Sequence, residues 1–132
     1  MSPDRVSVHT DSAPAAVGPY SQAVRAGDLV FCSGQIPLDP SGSGLVGEGP
    51  GEQAAQCLRN LAEVARAAGA RLEQAVRLTV YTTDLGAFAE INEAYAAFFE
   101  GGDPPARAAV GVVALPKGAQ VEIDAILYSP QR

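Results

Sequence analysis

Glu52-Gln53-Ala54-Ala55-Gln56-Cys57-Leu58-Arg59-Asn60-Leu61-Ala62-Glu63-Val64-Ala65-Arg66-Ala67-Ala68-Gly69-Ala70 is followed, four residues on, by Ala75-Val76-Arg77-Leu78-Thr79-Val80-Tyr81-Thr82-Thr83. In the first stretch Ala54, Leu58, Leu61, Ala65 and Ala68 recur at the spacing of one helical face. Glu52, Gln56, Arg59, Glu63 and Arg66 fall on the opposite face, and Gly69 is placed to end the helix. The second stretch is rich in β-branched residues and reads as a strand. A helix leading directly into a strand points to an α/β layer, and the flanking sequence extends it.

Toward the C-terminus, Asp84 is positioned to cap a second helix with the apolar stripe Phe88, Ile91, Tyr95 and Phe98, stopped by Gly101-Gly102. Strands over 106–113 and 120–128 follow, joined by Leu115-Pro116-Lys117-Gly118. Toward the N-terminus, Val6-Ser7-Val8 starts a short strand and 11–18 is a Pro/Ala connector. Residues 20–26 and Leu29-Val30-Phe31-Cys32 read as a hairpin about Gly27-Asp28, and 38–51 is loop. The expectation is one α/β domain over 1–132, with a mixed β-sheet and two helices on one face. On the last strand Val121, Ile123, Ala125 and Leu127 point one way, and Glu122, Asp124, Ile126 and Tyr128 the other. A half-apolar, uncovered face invites self-association.

Composition narrows the chemistry. The chain has 132 residues, 47% hydrophobic and 18% charged, with a formal net charge of -6. That fits one globular domain. The acidic balance disfavours nucleic-acid and anionic-membrane partners. No apolar run is long enough to span a bilayer, and Met1-Ser2-Pro3-Asp4-Arg5 has no apolar segment behind it, so a cytoplasmic location is expected. His9 is the only histidine, and Cys32 and Cys57 the only cysteines, so no metal site is expected and both cysteines read as reduced core thiols. His9 lies in a strand-like alternation rather than a Ser-His-Asp triad.

Other features require weighing. Gly42-Ser43-Gly44-Leu45-Val46-Gly47 matches the dinucleotide fingerprint, but Pro50-Gly51 separates it from the helix and the preceding strand ends too early. Glu122 and Asp124 project from one face of a strand. Arg107 sits among Ala106, Ala108, Ala109 and Gly111. Asn92 shares a helical stripe with Phe88, Tyr95 and Phe99, which predicts a buried amide needing partners. Tyr20 follows Gly18-Pro19 and reads as a turn-anchored aromatic. If the last two strands pair as a hairpin, Arg107 and Glu122 lie about 17 Å apart along the ladder. Joint action then needs another strand order or a cleft shared between chains.

Several motifs, in order, resemble the RidA (YjgF-type) family of reactive intermediate deaminases. They are Ala13-Pro14-Ala15-Ala16-Val17-Gly18-Pro19-Tyr20-Ser21-Gln22-Ala23, Ser33-Gly34-Gln35-Ile36-Pro37, residues 79–85, Phe88-x-x-x-Asn92-x-x-Tyr95-x-x-Phe98-Phe99, Pro105-Ala106-Arg107, and Leu115-Pro116-Lys117 followed by Val121-Glu122-Ile123-Asp124-Ala125. The resemblance implies a chorismate-mutase-like fold assembled as a homotrimer with inter-subunit clefts. It implies cofactor-free hydrolysis of 2-imino acids, of the kind released by pyridoxal-phosphate dehydratases, to 2-keto acids and ammonia. Arg107 would hold the substrate carboxylate and Glu122 would position or activate water, with Tyr20, Ser33, Gly34, Asn92 and Ala109 at the cleft. Ala109 stands where many bacterial members carry cysteine, Gly111 where an acid is frequent, and Pro104 where an aromatic is common. The rival readings are a trimeric binder or sensor of small carboxylates, and a ribonuclease or translation inhibitor.

Overall fold

The computed structural model describes residues 5–131; residues 1–4, which carry most of the N-terminal reading, and residue 132 lie outside the described part. The strands are β1 (Val6–Val8), β2 (Ala23–Ala26), β3 (Leu29–Gln35), β4 (Ala75–Thr82), β5 (Ala106–Gly111) and β6 (Val121–Tyr128). The helices are α1 (Pro50–Ala67) and α2 (Phe88–Phe98). One six-stranded sheet runs in the order β1-β2-β3-β6-β4-β5, antiparallel except for the parallel pair β4 and β5.

Pro50 opens α1, where its fixed φ and missing N–H cost nothing. Gly69, at φ 80°, ends it: the Ala70 N–H donates to Ala65 O and the Gly69 N–H to Arg66 O, a Schellman closure. Asp84 accepts from the Gly86 N–H at 3.0 Å, capping a 3-10 turn (Leu85–Ala87) that leads into α2. Leu58, Leu61, Val64 and Ala65 of α1 pack on Val30, Leu78, Val80, Val121, Ile123 and Leu127, all fully buried in one core. Burying a side chain of this size stabilises by about 1.5–3 kcal/mol.

Three expectations are corrected. Gln56 is buried rather than on an exposed face, on the side of α1 where Asn60 donates to Ile36 O and Leu38 O of the segment after β3. Gln56 Nε2 there donates to Asn60 Oδ1 at 2.9 Å. The last two strands do not form a hairpin, since β4 lies between them. Asn92 is exposed, not buried. Among the described residues no helix is long and apolar enough to cross a membrane.

The sheet's second face carries Leu29, Phe31 and Tyr128, 37%, 43% and 50% exposed, around the half-buried Ile126.

Candidate functional site

The register decides which side chains can meet. Residues facing each other across a ladder share a face. Arg107 is opposite Leu78 and Ala109 opposite Val80, both buried beneath the helices, so Arg107 and Ala109 project on the helix side. Glu122 is opposite Tyr81 and lies between the buried Val121 and Ile123, so it projects on the open side. The two candidate catalytic residues occupy separate concavities.

The Glu122 concavity, of about 420 Å³, is lined by Tyr20, Ser33, Gly34, Lys117 and Glu122 together with Pro14 and Val17 of the connector. Two buried amides build its walls. Gln22, 2% exposed, accepts from the Thr10 N–H at 2.7 Å and donates to Thr10 O at 3.1 Å and Pro14 O at 2.8 Å, fixing the connector. Asn60, 1% exposed, donates to Ile36 O at 3.3 Å and Leu38 O at 3.0 Å, fixing the opposite wall. The motif quoted for the resemblance contains Gln22, but its role as a buried tie was missed; an amide inside an apolar turn was the available signal.

Between Cys32 and Gln35 the β3–β6 register slips, so Ser33 and Gly34 together oppose Asp124 in a bulge. Ser33 Oγ donates to Ser21 O at 2.6 Å and the Ser33 N–H to Gln22 O at 3.0 Å, which pins the bulge. The Glu122 carboxylate lies against Gly34, and a Cβ there would collide with it, reaching 3.0 Å from Glu122 Cδ. Lys117, the only lysine, adopts the left-handed conformation at φ 59° on the rim. Such strain in a bulky residue is retained where the surroundings enforce it.

Burial raises the Glu122 pKa, and the Asp124 carboxylate adds to the rise. A group in this state exchanges protons nearer neutrality than an exposed glutamate does. Burial also pushes the Cys32 thiol up to about 12 and Cys57 well above its ordinary value, so both are inert core thiols, free and buried as the sequence predicts.

The Arg107 concavity, of about 660 Å³, is lined by Asn92, Tyr95, Phe99, Pro104, Pro105 and Arg107. Arg107 Nη1 donates to Asn92 Oδ1 at 2.6 Å. The guanidinium carbon stands 5.1 Å from the Phe88 ring centroid and 4.8 Å from that of Tyr95. Those contacts orient the fork and leave Nε and Nη2 for a carboxylate. Asn92 therefore positions Arg107 from an exposed site. A Cβ at Gly111 would meet Leu85 Cδ1 at 2.8 Å, so Leu85 occupies the space where an acidic side chain would stand.

The structure brings Tyr20, Ser33, Gly34 and Glu122 to one concavity, and Asn92 and Arg107 to another, with Ala109 two residues along β5 from Arg107. One chain does not join the two groups.

A single mixed sheet with helices on one face and a concavity holding a charged candidate residue on each side defines a small α/β protein of the Rid/YjgF class. The family model described as Endoribonuclease L-PSP matches residues 10–129. A RutC family protein of Sinorhizobium fredii is 54% identical over 121 residues, covering 91% of this chain and 94% of that protein. The 2-iminobutanoate/2-iminopropanoate deaminase of Mus musculus is 48% identical over 122 residues, covering 92% and 90%. The crystal structure of RidA from Psychrobacter superposes with a TM-score of 0.87 at 48% identity, covering 93% and 98%. The chain belongs to the Endoribonuclease L-PSP family, within which the RidA resemblance read from its motifs holds.

Proposed function

We propose that the chain hydrolyses 2-imino acids, and their enamine tautomers, to 2-keto acids and ammonia, in homotrimers whose sites join the Arg107 half of one subunit to the Glu122 half of another. The observation that carries this reading is Glu122: a carboxyl of raised pKa on the wall of an open concavity, pressed against a residue that has no side chain. The deaminase name of relatives such as the mouse protein supports it.

The chemistry follows from these groups. Arg107 holds the substrate carboxylate and fixes the imine carbon against a water on Glu122. Glu122 removes a proton as the water oxygen bonds to that carbon, then returns it to the nitrogen. Glu122 then takes the remaining proton of the added hydroxyl and delivers it to the nitrogen as the C–N bond breaks, the C=O bond forms and ammonia leaves. An enamine first takes a proton at its β-carbon from the protonated acid. Each step is a proton transfer, an addition or an elimination, so no electron sink or redox partner is invoked.

Joining the halves requires a second copy, since Arg107 and Glu122 face opposite ways. The exposed Leu29, Phe31 and Tyr128 on the Glu122 side supply apolar surface for that contact. A trimer is the closed assembly that the family resemblance implies. The ribonuclease reading has less support: His9 is exposed beside Asp11 and lines neither concavity.

The test couples a serine/threonine dehydratase to this protein with semicarbazide present. Wild type diverts imine from semicarbazone to free keto acid, while Arg107→Ala and Glu122→Gln do not. No diversion with serine or threonine as dehydratase substrate would contradict the reading. Retained keto-acid binding would then favour the carboxylate-binding trimer.

A further inference from the structure

The open face carries a second carboxylate that the proposed reaction does not use. Asp124 lies two residues from Glu122 on β6, so both project from the same face roughly 7 Å apart. The Tyr81 hydroxyl donates to Asp124 Oδ2 at 3.2 Å, and Tyr81 is itself the cross-strand partner of Glu122. The three side chains thus form a compact group on β4 and β6. Arg77 and Thr79 of β4 flank Asp124 on the same face, together with Phe31 of β3.

We propose that Asp124, held by the Tyr81 hydroxyl, is a positioning residue for Glu122, its nearby negative charge favouring the protonated form that donates to the substrate. The inference rests on the proposed role of Glu122 and adds the group that tunes it. The titratable groups around Glu122 are Tyr20 from the connector, Lys117 from the β5–β6 connection, Tyr81 from β4, Asp124 from its own strand and, beneath the sheet, Cys57 of α1. Lys117 has the opposite sign, but it is exposed, where solvent screens it. Asp124 is half-buried on the sheet, so its charge is screened less. The raised proton affinity of Glu122 has Asp124 as its one charged cause, after burial.

The experiment is a carboxyl-carbon NMR titration of the full-length protein, with the Glu122 signal assigned by its loss in Glu122→Gln. Asp124→Asn moves the Glu122 midpoint downward, and Asp124→Glu, which keeps the charge, restores it toward the wild-type value. The acid limb of keto-acid release moves with it, with little change at neutral pH in the affinity for an inert keto acid. Asp124→Ser gives the same readout if the asparagine variant does not fold. A Glu122 midpoint identical in wild type and the uncharged variants overturns the proposal. The titration needs no turnover, so a shifted midpoint in an inactive protein would contradict the imine reading and leave the Asp124–Glu122 coupling standing.

Discussion

Arg107 and Glu122 stand on opposite faces of one sheet, with β4 between their strands. The proposed carboxylate clamp and the proposed proton carrier therefore belong to different concavities, each organised by its own neighbours. Asn92 and two aromatic rings orient Arg107, while Gly34 and the bulge in β3 receive Glu122. This separation makes the two half-sites independent targets.

Arg107→Ala and Glu122→Gln separate binding from turnover. Losing a charge-assisted hydrogen bond costs about 1.5–3 kcal/mol, so Arg107→Ala weakens binding of an inert keto acid roughly 10–100-fold. Glu122→Gln lowers kcat by about 10²–10⁴ and leaves that affinity nearly intact. Calorimetry alongside steady-state kinetics checks both; equal losses of affinity in the two variants would contradict the assignment.

Gly34→Ala places a methyl group against the Glu122 carboxylate. The obstacle is the far end of a flexible side chain, so the fold persists and the carboxylate moves. A displacement of about 1 Å costs roughly 10²-fold in rate. We expect a melting temperature within a few degrees of wild type together with a collapsed kcat. Unchanged kcat would show that the carboxylate does not work from this position.

The raised pKa of Glu122 also affects stability. In the folded chain the group holds its proton more tightly than in the unfolded chain. Between the ordinary glutamate range and the raised value the folded state binds more protons, so stability falls as pH rises through that window. Above the raised value the loss is complete. Glu122→Gln removes it, giving a higher denaturation midpoint than wild type at neutral pH and no gain in acid. A glutamine variant less stable than wild type at neutral pH would contradict this.

Gln22→Leu keeps the volume and deletes the amide that ties Thr10 and Pro14. Buried backbone groups left unpaired cost about 1–3 kcal/mol each, so a loss of roughly 2–4 kcal/mol is expected from chemical denaturation. A loss below about 1 kcal/mol would show that the connector holds itself in place.

Both helices, the central strand and the alternation of β6 were legible because burial imposes periods of 3.6 and 2 on apolar residues. Strand order was not. Alternation shows which face a residue takes but not which strand lies beside it, and the short connection at Pro116 favoured a local hairpin that β4 displaces. Gln56 was misplaced because the buried arc of α1 extends to the side where Asn60 ties it to the segment after β3, a long-range contact that periodicity does not show. Asn92 was read as buried from its stripe, whereas it lies at the margin and meets Arg107 across 15 positions of sequence. The resemblance supplied the candidate site residues; their division between the two faces of the sheet became visible only in the register.

The measurement that tests the central claim is complementation between two inactive variants. Arg107→Ala and Glu122→Gln chains are co-expressed in equal amounts, and imine hydrolysis by the mixed assemblies is compared with each variant alone. If each site takes Arg107 from one subunit and Glu122 from its neighbour, random mixing restores about one quarter of wild-type activity. Assemblies that contain both chains and remain as inactive as their parents would contradict a site shared between subunits.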